Sequence, residues 1–236
     1  MKERNIKNLV SLWMLTGKAF DAYRGVSGFE TINLDFSEWP NRIWSFQSMT
    51  SDRSNEVKRI IREINPAMTF SEWKGLNESD STIDYDMRLK SVQIGMSLCL
   101  KDYNMQPADY SIDLIPIGNS TGAKLWSRLF QQSFGYLISD IVIDRIKDRV
   151  AFLNLKFEGQ FVGTVAVYKL DNSIGIHSLG ITEQFRKRGL AGKVMRKILA
   201  DAQKEGLDYA HLQSSPMGID VYKRIGFEEI FKMYNY

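Results

Sequence analysis

From Asp109 to Tyr236 the sequence predicts a mixed α/β fold, a sheet carrying helices on both faces. Three observations predict it. Apolar residues recur at every second position in some segments and every three to four in others, the periods of strand and helix. The order from Tyr110 then reads strand, two helices, three strands, helix, strand, helix, strand, alternating late but not early. A glycine-bearing turn also joins a strand to a helix, at Arg186-Lys187-Arg188-Gly189-Leu190-Ala191-Gly192.

In chain order, Asn8 to Tyr23 reads as a helix with Leu9, Leu12, Trp13 and Leu15 as its apolar set. Thr31 to Phe36 and Arg42 to Phe46 read as a hairpin across Ser37-Glu38-Trp39-Pro40-Asn41. Ser54 is expected to cap a helix facing inward through Val57, Ile60, Ile61 and Ile64, stopped by Asn65-Pro66. Thr69 to Asp84 reads as irregular and polar, and Asp86 to Lys101 ends in a half-buried strand. Asn104 and Pro107 break the pattern between Asp102 and Asp109, so a domain boundary is placed there, leaving a smaller α/β domain over residues 1–103. Tyr110 to Ile117 is a strand. Asn119 or Ser120 caps a helix to Phe134, and a second helix covers Ser139 to Lys147. Ala151 to Phe157 and Phe161 to Leu170 form a hairpin over Glu158-Gly159-Gln160. Ile174 to Thr182 is the strand before the glycine turn, and the helix after it runs to about Lys204, with Gly206 as its stop.

A net charge of +3 and 44% hydrophobic residues describe an ordinary soluble globular chain, too weakly basic overall to argue for nucleic acid. The single cysteine, Cys99, excludes an internal disulfide framework and reads as a packed thiol. No His/Cys/Asp/Glu cluster has metal-ligand spacing, so no metal is expected. No apolar run reaches membrane-spanning length, and the N-terminus reads as an amphipathic helix rather than a secretory signal, so a cytoplasmic enzyme is expected.

The glycine turn carries chemistry. Small residues let a backbone approach a ligand closely, and a helix start offers unpaired N–H groups and a positive dipole end. Between Arg186 and Lys197 stand six basic residues and no acidic one, which suits a ligand with several phosphates. The alternative is a strand-to-helix turn with a solvated basic face. Neither Gly-x-x-x-x-Gly-Lys-Ser/Thr nor Gly-x-Gly-x-x-Gly is present, so no nucleotide-hydrolysing or dinucleotide-binding loop is indicated.

A second block ends Val221-Tyr222-Lys223-Arg224-Ile225-Gly226-Phe227. Here the chain resembles the GNAT superfamily of N-acetyltransferases. Arg186, Gly189 and Ala191 fill that family's Arg/Gln-x-x-Gly-x-Gly/Ala motif, and Tyr222, Ile225, Gly226 and Phe227 fill its Tyr-x-x-Leu-Gly-Phe-like segment, with Ile for Leu. Ser215 stands where the family often has Asn. The resemblance covers Asp109 to Tyr236. It implies the GNAT topology there. Residues 1–103 are then either a degenerate, non-binding copy of the same unit or a substrate-side domain whose Trp39, Trp44 and Trp73 line the acceptor cleft or form its core.

The resemblance further implies acetyl-CoA as acyl donor. Its pyrophosphate would rest on the amides from Lys187 to Gly192. Its pantetheine arm would pair with Leu179-Gly180-Ile181, which would also donate an N–H to the thioester oxygen. Ser215 belongs to the same donor-binding set. Tyr222 would protonate the departing CoA thiolate. The general base is open: His177 is the first candidate, with Glu183, Asp220, His211 or a water chain as others. The expected activity is direct transfer of an acetyl group to a primary amine, on a small molecule or a peptide, in a ternary complex. The rival reading is a non-catalytic acyl-CoA-binding sensor. Nucleic acid and membrane are not expected partners, and the sequence leaves oligomeric state open.

Overall fold

A computed structural model describes residues 1–78, 86–104 and 111–236. Residues 79–84 of the stretch read as irregular, 105–109 of the boundary, and Tyr110 lie outside the described residues.

Six α-helices and eleven strands are described: α1 Lys2–Ala19, β1 Tyr23–Val26, β2 Phe29–Ile32, β3 Arg42–Trp44, α2 Ser51–Ile64, β4 Thr69–Gly75, β5 Ser91–Cys99, β6 Ile112–Pro116, α3 Ser120–Phe134, α4 Asp140–Ile146, β7 Ala151–Phe157, β8 Gln160–Leu170, β9 Ser173–Ile181, α5 Leu190–Lys204, β10 Tyr209–Ser214, α6 Ile219–Ile225 and β11 Glu228–Asn235. The C-terminal elements follow the sequence reading closely. Asn119 caps α3 by accepting from the Gly122 amide at 2.9 Å, and the β7–β8 turn places Glu158 and Gly159 at φ +50° and +78°.

The N-terminal half departs from it in four places. Helix α1 starts at Lys2, because Asn5 and Asn8 are buried on its inner face and carry the helix beyond its apolar pattern. A tight turn at Ser27-Gly28, both at positive φ, makes β1 and β2 a hairpin and ends β2 at Ile32. Thr50 rather than Ser54 caps α2, accepting from the Arg53 amide at 3.3 Å; Ser54 is buried one turn inside. Thr69–Gly75 is a strand, with Phe70 buried on one face and Trp73 packed on the other.

All eleven strands form one sheet in the order β1-β2-β3-β4-β11-β5-β10-β9-β8-β7-β6. The order reads alike from both sides of its centre. On one side β2–β3 are antiparallel, β3–β4 parallel across α2, and β4–β11 antiparallel. On the other β8–β9 are antiparallel, β9–β10 parallel across α5, and β10–β5 antiparallel. The last strand of each half therefore pairs with the other half, and β5 and β11 pair with each other at the middle. The sheet runs unbroken across the boundary placed between Asp102 and Asp109.

Helices α1, α3 and α4 cover one face over a core that includes Trp13, Trp44, Trp126 and Phe130. Helices α5 and α2 cover the other, over Val194 and Leu199 in one half and Val57 and Ile60 in the other. Each large apolar side chain so buried contributes about 1.5–3 kcal/mol. Trp44 and Trp73 pack with Trp13, ring centroids 5.5 and 6.3 Å away, and so belong to the core.

Candidate active site

Strands β9 and β10 pair only at Tyr209↔Ser173, Ala210↔Ile174 and His211↔Gly175. Beyond that point β9 continues to Ile181 beside β8, and β10 continues to Ser214 beside β5. The two strands separate, and a gap opens between them toward their C-terminal ends.

A bulge shapes the β9 side. Thr164 pairs with Gly180 and Ala166 with His177, so Val165 alone opposes Ser178 and Leu179, and Ser178 sits at φ +55°. The extra residue shifts the alternation. Ile174 and Ile176 face α5 before it, and Leu179 and Ile181 face the same core after it. Gly180 turns instead toward the end of α3, where a Cβ would overlap the Phe134 ring and stand 2.8 Å from the Ser133 Cβ. Glycine is required there by this close approach of a helix.

Beyond β9 the chain is fastened before it turns. Thr182 donates its amide and hydroxyl to the Val162 carbonyl at 2.9 and 3.1 Å, and Phe185 is buried. The Arg186 guanidinium donates to the Ile181 and Ser133 carbonyls, both at 3.0 Å, so its side chain ties the turn to β9 and α3. Lys187 and Gly189 then adopt φ +62° and +74°. Gly189 is the N-cap of α5 and supplies no side-chain cap. Among the described residues, no acceptor takes the amides of residues 187–192. Left-handed residues next to a bare helix start form a concave nest of N–H donors, suited to an anion. Leu190 is a buried core residue that offers only its amide, whereas Lys187, Arg188 and Gly189 are exposed. The six basic residues are not equivalent. Lys193 reaches the Ser111 hydroxyl at 2.9 Å and Lys197 the Ile112 carbonyl at 3.4 Å, while Arg188 lies over the Phe185 ring.

The matching turn of the N-terminal half, between β3 and α2, is filled. Thr50 occupies the first turn of α2 as a side-chain cap. Arg53 packs into the loop, donating to Gln47 Oε1 and the Ser45 hydroxyl at 2.7 Å each and to the Gly28 carbonyl at 3.3 Å. Phe46 stacks on Trp73 at 5.6 Å. No residue from 45 to 50 adopts a positive φ, so this turn lacks the left-handed nest of the C-terminal one.

Tyr222 stands on α6 at the end of β10, on the face shared with α5. Its ring packs against Phe227 at 6.0 Å and stands 3.0 Å from where a Cβ on Gly218 would be. Burial pushes its hydroxyl up to about 12, so it stays protonated at neutral pH. Ser215 is exposed; its carbonyl accepts from the Gly218 amide at 2.9 Å and the Ser214 hydroxyl at 2.8 Å, which starts the turn into α6. Glu183 and Asp220 are exposed.

The histidines belong to a polar network that the sequence pattern did not reveal. Asn8 Oδ1 lies 3.1 Å from His177 Nε2, and Ser97 Oγ lies 2.9 Å from His211 Nδ1. Asn5 donates to the Met96 carbonyl and Ser97 at 2.8 and 3.2 Å and accepts from Gln213 at 2.6 Å. Burial, then the neighbouring His211, push His177 down to about 4, against a smaller opposing effect of Gln213. Burial, then the N-terminal ammonium and Arg4, push His211 down to about 4. Both imidazoles are neutral at pH 7. The signal for this network was present as Asn5 and Asn8, one helical turn apart among apolar residues of α1.

Among the described residues no cluster of His, Cys, Asp or Glu could hold a metal ion, and no helix is long and apolar enough to cross a membrane.

Comparison with solved structures finds the same fold at low identity. A GCN5-related N-acetyltransferase from Kribbella flavida aligns with TM-score 0.67 and 13% identity, covering 98% of this chain and 95% of that one. A GCN5-related N-acetyltransferase from Sphaerobacter thermophilus aligns with TM-score 0.62 and 11% identity, covering 89% and 76%. A functionally unknown conserved protein from Staphylococcus epidermidis aligns with TM-score 0.61 and 15% identity, covering 90% and 91%. Comparison with curated protein sequences finds no match. The model of the acetyltransferase (GNAT) family matches residues 122–227, the span that holds α3, the strand gap, the amide nest and Tyr222. Through that span the chain matches the acetyltransferase (GNAT) family, in a fold shared with the solved structures above.

Proposed function

We propose that the protein transfers an acetyl group from acetyl-CoA to a primary amine by direct attack. The observation that carries this reading is the gap between β9 and β10 leading into a nest of free amides at residues 187–192. A thioester on a flexible arm, ending in a pyrophosphate, matches an extended slot that ends in an anion cradle. The edge of β9 around Leu179, Gly180 and Ile181 lines the slot and offers N–H groups where negative charge develops on the thioester oxygen. Lys187 and Arg188 add positive charge at the mouth. Arg186 acts as a positioning residue, since its side chain is committed to two carbonyls.

Tyr222 is assigned as the acid. Its hydroxyl is held protonated and sits on the α5 side of the gap, where the CoA sulfur would leave. His177 suits the base role poorly. A group that holds its proton only below about pH 4 takes one from an alkylammonium against a gap of some six pH units, about 8 kcal/mol. The amine proton is therefore assigned to water, and His177 to positioning Asn8 and Gln213. In this reading the stretch before Asp102 covers the acceptor side and binds no second donor, which the side-chain cap at Thr50 and the packing of Arg53 into that loop support.

A thiol-release assay over a panel of primary amines tests the reading. Amine-dependent release of CoA supports it. Tight CoA binding with no release over a broad panel would make the protein an acyl-CoA sensor instead.

A further inference from the structure

Resting on the acetyl-transfer reading, we infer that the amine acceptor carries a carboxylate, bound by Arg42 and Lys90 in a cleft on the α1 face of the sheet. The cleft measures about 640 Å³, within the range of small-molecule sites, and lies between the β2–β3 loop, the start of β4, the end of β11 and the α3–α4 loop. It opens at the same end of the sheet as the donor gap. Ser214 of β10 pairs with Ile94 of β5, Asn235 of β11 with Ser91, and Ser71 of β4 with Asn235, so the ends of these strands lie along one edge.

Arg42 is the centre of the cleft. Its Nη1 donates to the Ser71 hydroxyl at 3.1 Å and to Asn235 Oδ1 at 2.8 Å, and its guanidinium lies 5.3 Å from the Trp13 ring. These contacts hold the group in place and leave Nε and Nη2, one edge of the fork, without a protein acceptor. Such an edge matches a carboxylate bidentately. Lys90 donates to the Met68 carbonyl at 2.6 Å and the Thr69 hydroxyl at 3.2 Å, which leaves one N–H free. Burial and then the charge of Arg42 lower the Lys90 ammonium, and both residues line this cleft. Among the described residues, no carboxylate lies within ion-pair distance of either. Asp35 and Glu38 line the loop across the cleft, but Asp35 accepts from Asn33 at 2.8 Å and Glu38 from the Leu137 amide at 2.5 Å. Tyr136 completes the wall; burial raises its hydroxyl, which keeps it neutral.

A row of amides leads from this pair to the donor gap. Asn235 Nδ2 lies 3.3 Å from Gln93 Oε1, and Gln93 Nε2 lies 3.5 Å from the Gln213 carbonyl. Gln213 is beside His177 on β9. From β11 to the open side of β10 is two to two and a half strand spacings, roughly 10–12 Å at ~4.8 Å each. The acceptor thus holds its carboxylate roughly that far from its amine, the length of an extended tripeptide at ~3.4 Å per residue.

The test uses triglycine and triglycinamide, which differ only in the terminal carboxylate. Thiol release should show kcat/KM higher for triglycine by about 10-fold or more, the worth of a charge-assisted contact. Lys90→Gln, an exposed change, should cut that preference several-fold while leaving acetyl-CoA affinity unaltered. Equal kcat/KM for the two peptides, or a variant that slows both alike, overturns the inference. Calorimetric titration of the two peptides, without acetyl-CoA, reads the cleft separately from the transfer reaction. Triglycine binding that triglycinamide does not share supports the inference even if neither is acetylated; equal binding, or none, overturns it. Inorganic phosphate displacing triglycine far better than acetate does would also overturn it, marking the pair as a phosphate site. Failure of acetyl-CoA itself to bind counts against the transfer reading alone.

Discussion

Glutamate at position 191 separates the stability of the fold from the binding of the donor. Ala191 is the second residue of α5, inside the amide nest, and is only partly buried. A carboxylate in the first turn of a helix complements the dipole and can accept from the free amides, which stabilises the fold by about 0.3–1 kcal/mol. The same carboxylate faces whatever anion the nest would hold. Two like charges about 4 Å apart repel by about 1 kcal/mol in water and about 4 kcal/mol near a protein surface. Two phosphate charges therefore cost about 2 kcal/mol at the least, a loss of about 30-fold or more in affinity. Calorimetric titration with acetyl-CoA, paired with a thermal melt, measures both quantities on one preparation. Ala191→Glu should melt at or slightly above the wild-type temperature and bind acetyl-CoA at least about 30-fold more weakly. Wild-type affinity in a folded variant would refute the assignment of the nest.

Three further outcomes follow from the geometry. Tyr222→Phe removes one hydroxyl and little volume, so acetyl-CoA affinity should hold while turnover falls by ~10- to 1,000-fold; equal rates of acetyl-CoA hydrolysis for the two proteins would show the ring to be packing only. Gly180→Ala drives a methyl into the Phe134 ring and should cost about 1–3 kcal/mol, read as a lower melting temperature that Phe134→Leu partly restores. His177 and His211 are both held near 4 rather than 6.5, so the stability they contribute is complete above pH 6.5 and is lost as pH falls through 4. For the fully buried His211 this is roughly 3 kcal/mol, and denaturant melts at pH 7 and 4 should show a steep fall that His211→Gln flattens.

How much the sequence reveals depends on whether the deciding contacts are local. The β7–β8 turn, the Asn119 cap and the glycine turn before α5 are set by residues within a few positions of one another, and each is readable in the chain. The roles of Gly180 and Arg186 are not, because Phe134 and the Ser133 carbonyl, which define them, lie about fifty residues away. The polar residues of α1 misled the reading for the same reason. Asn5 and Asn8 are buried without penalty only because strand carbonyls and His177 satisfy them across the fold. Strand β4 was hidden because Ser71, Glu72 and Lys74 look polar, yet Ser71 bonds Asn235 at the opposite end of the chain. The exchange of β5 and β11 between the two halves has no local signature at all.

The central claim is that a single donor site exists, built from the β9–β10 gap and the amides of residues 187–192, while the matching turn at Thr50 is closed. Calorimetric titration of the wild-type protein with CoA tests it most directly. One molar equivalent of CoA should bind, with affinity at least about 30-fold lower in Ala191→Glu and unchanged in Thr50→Ala. Two equivalents per chain, or no binding at millimolar CoA, would contradict it.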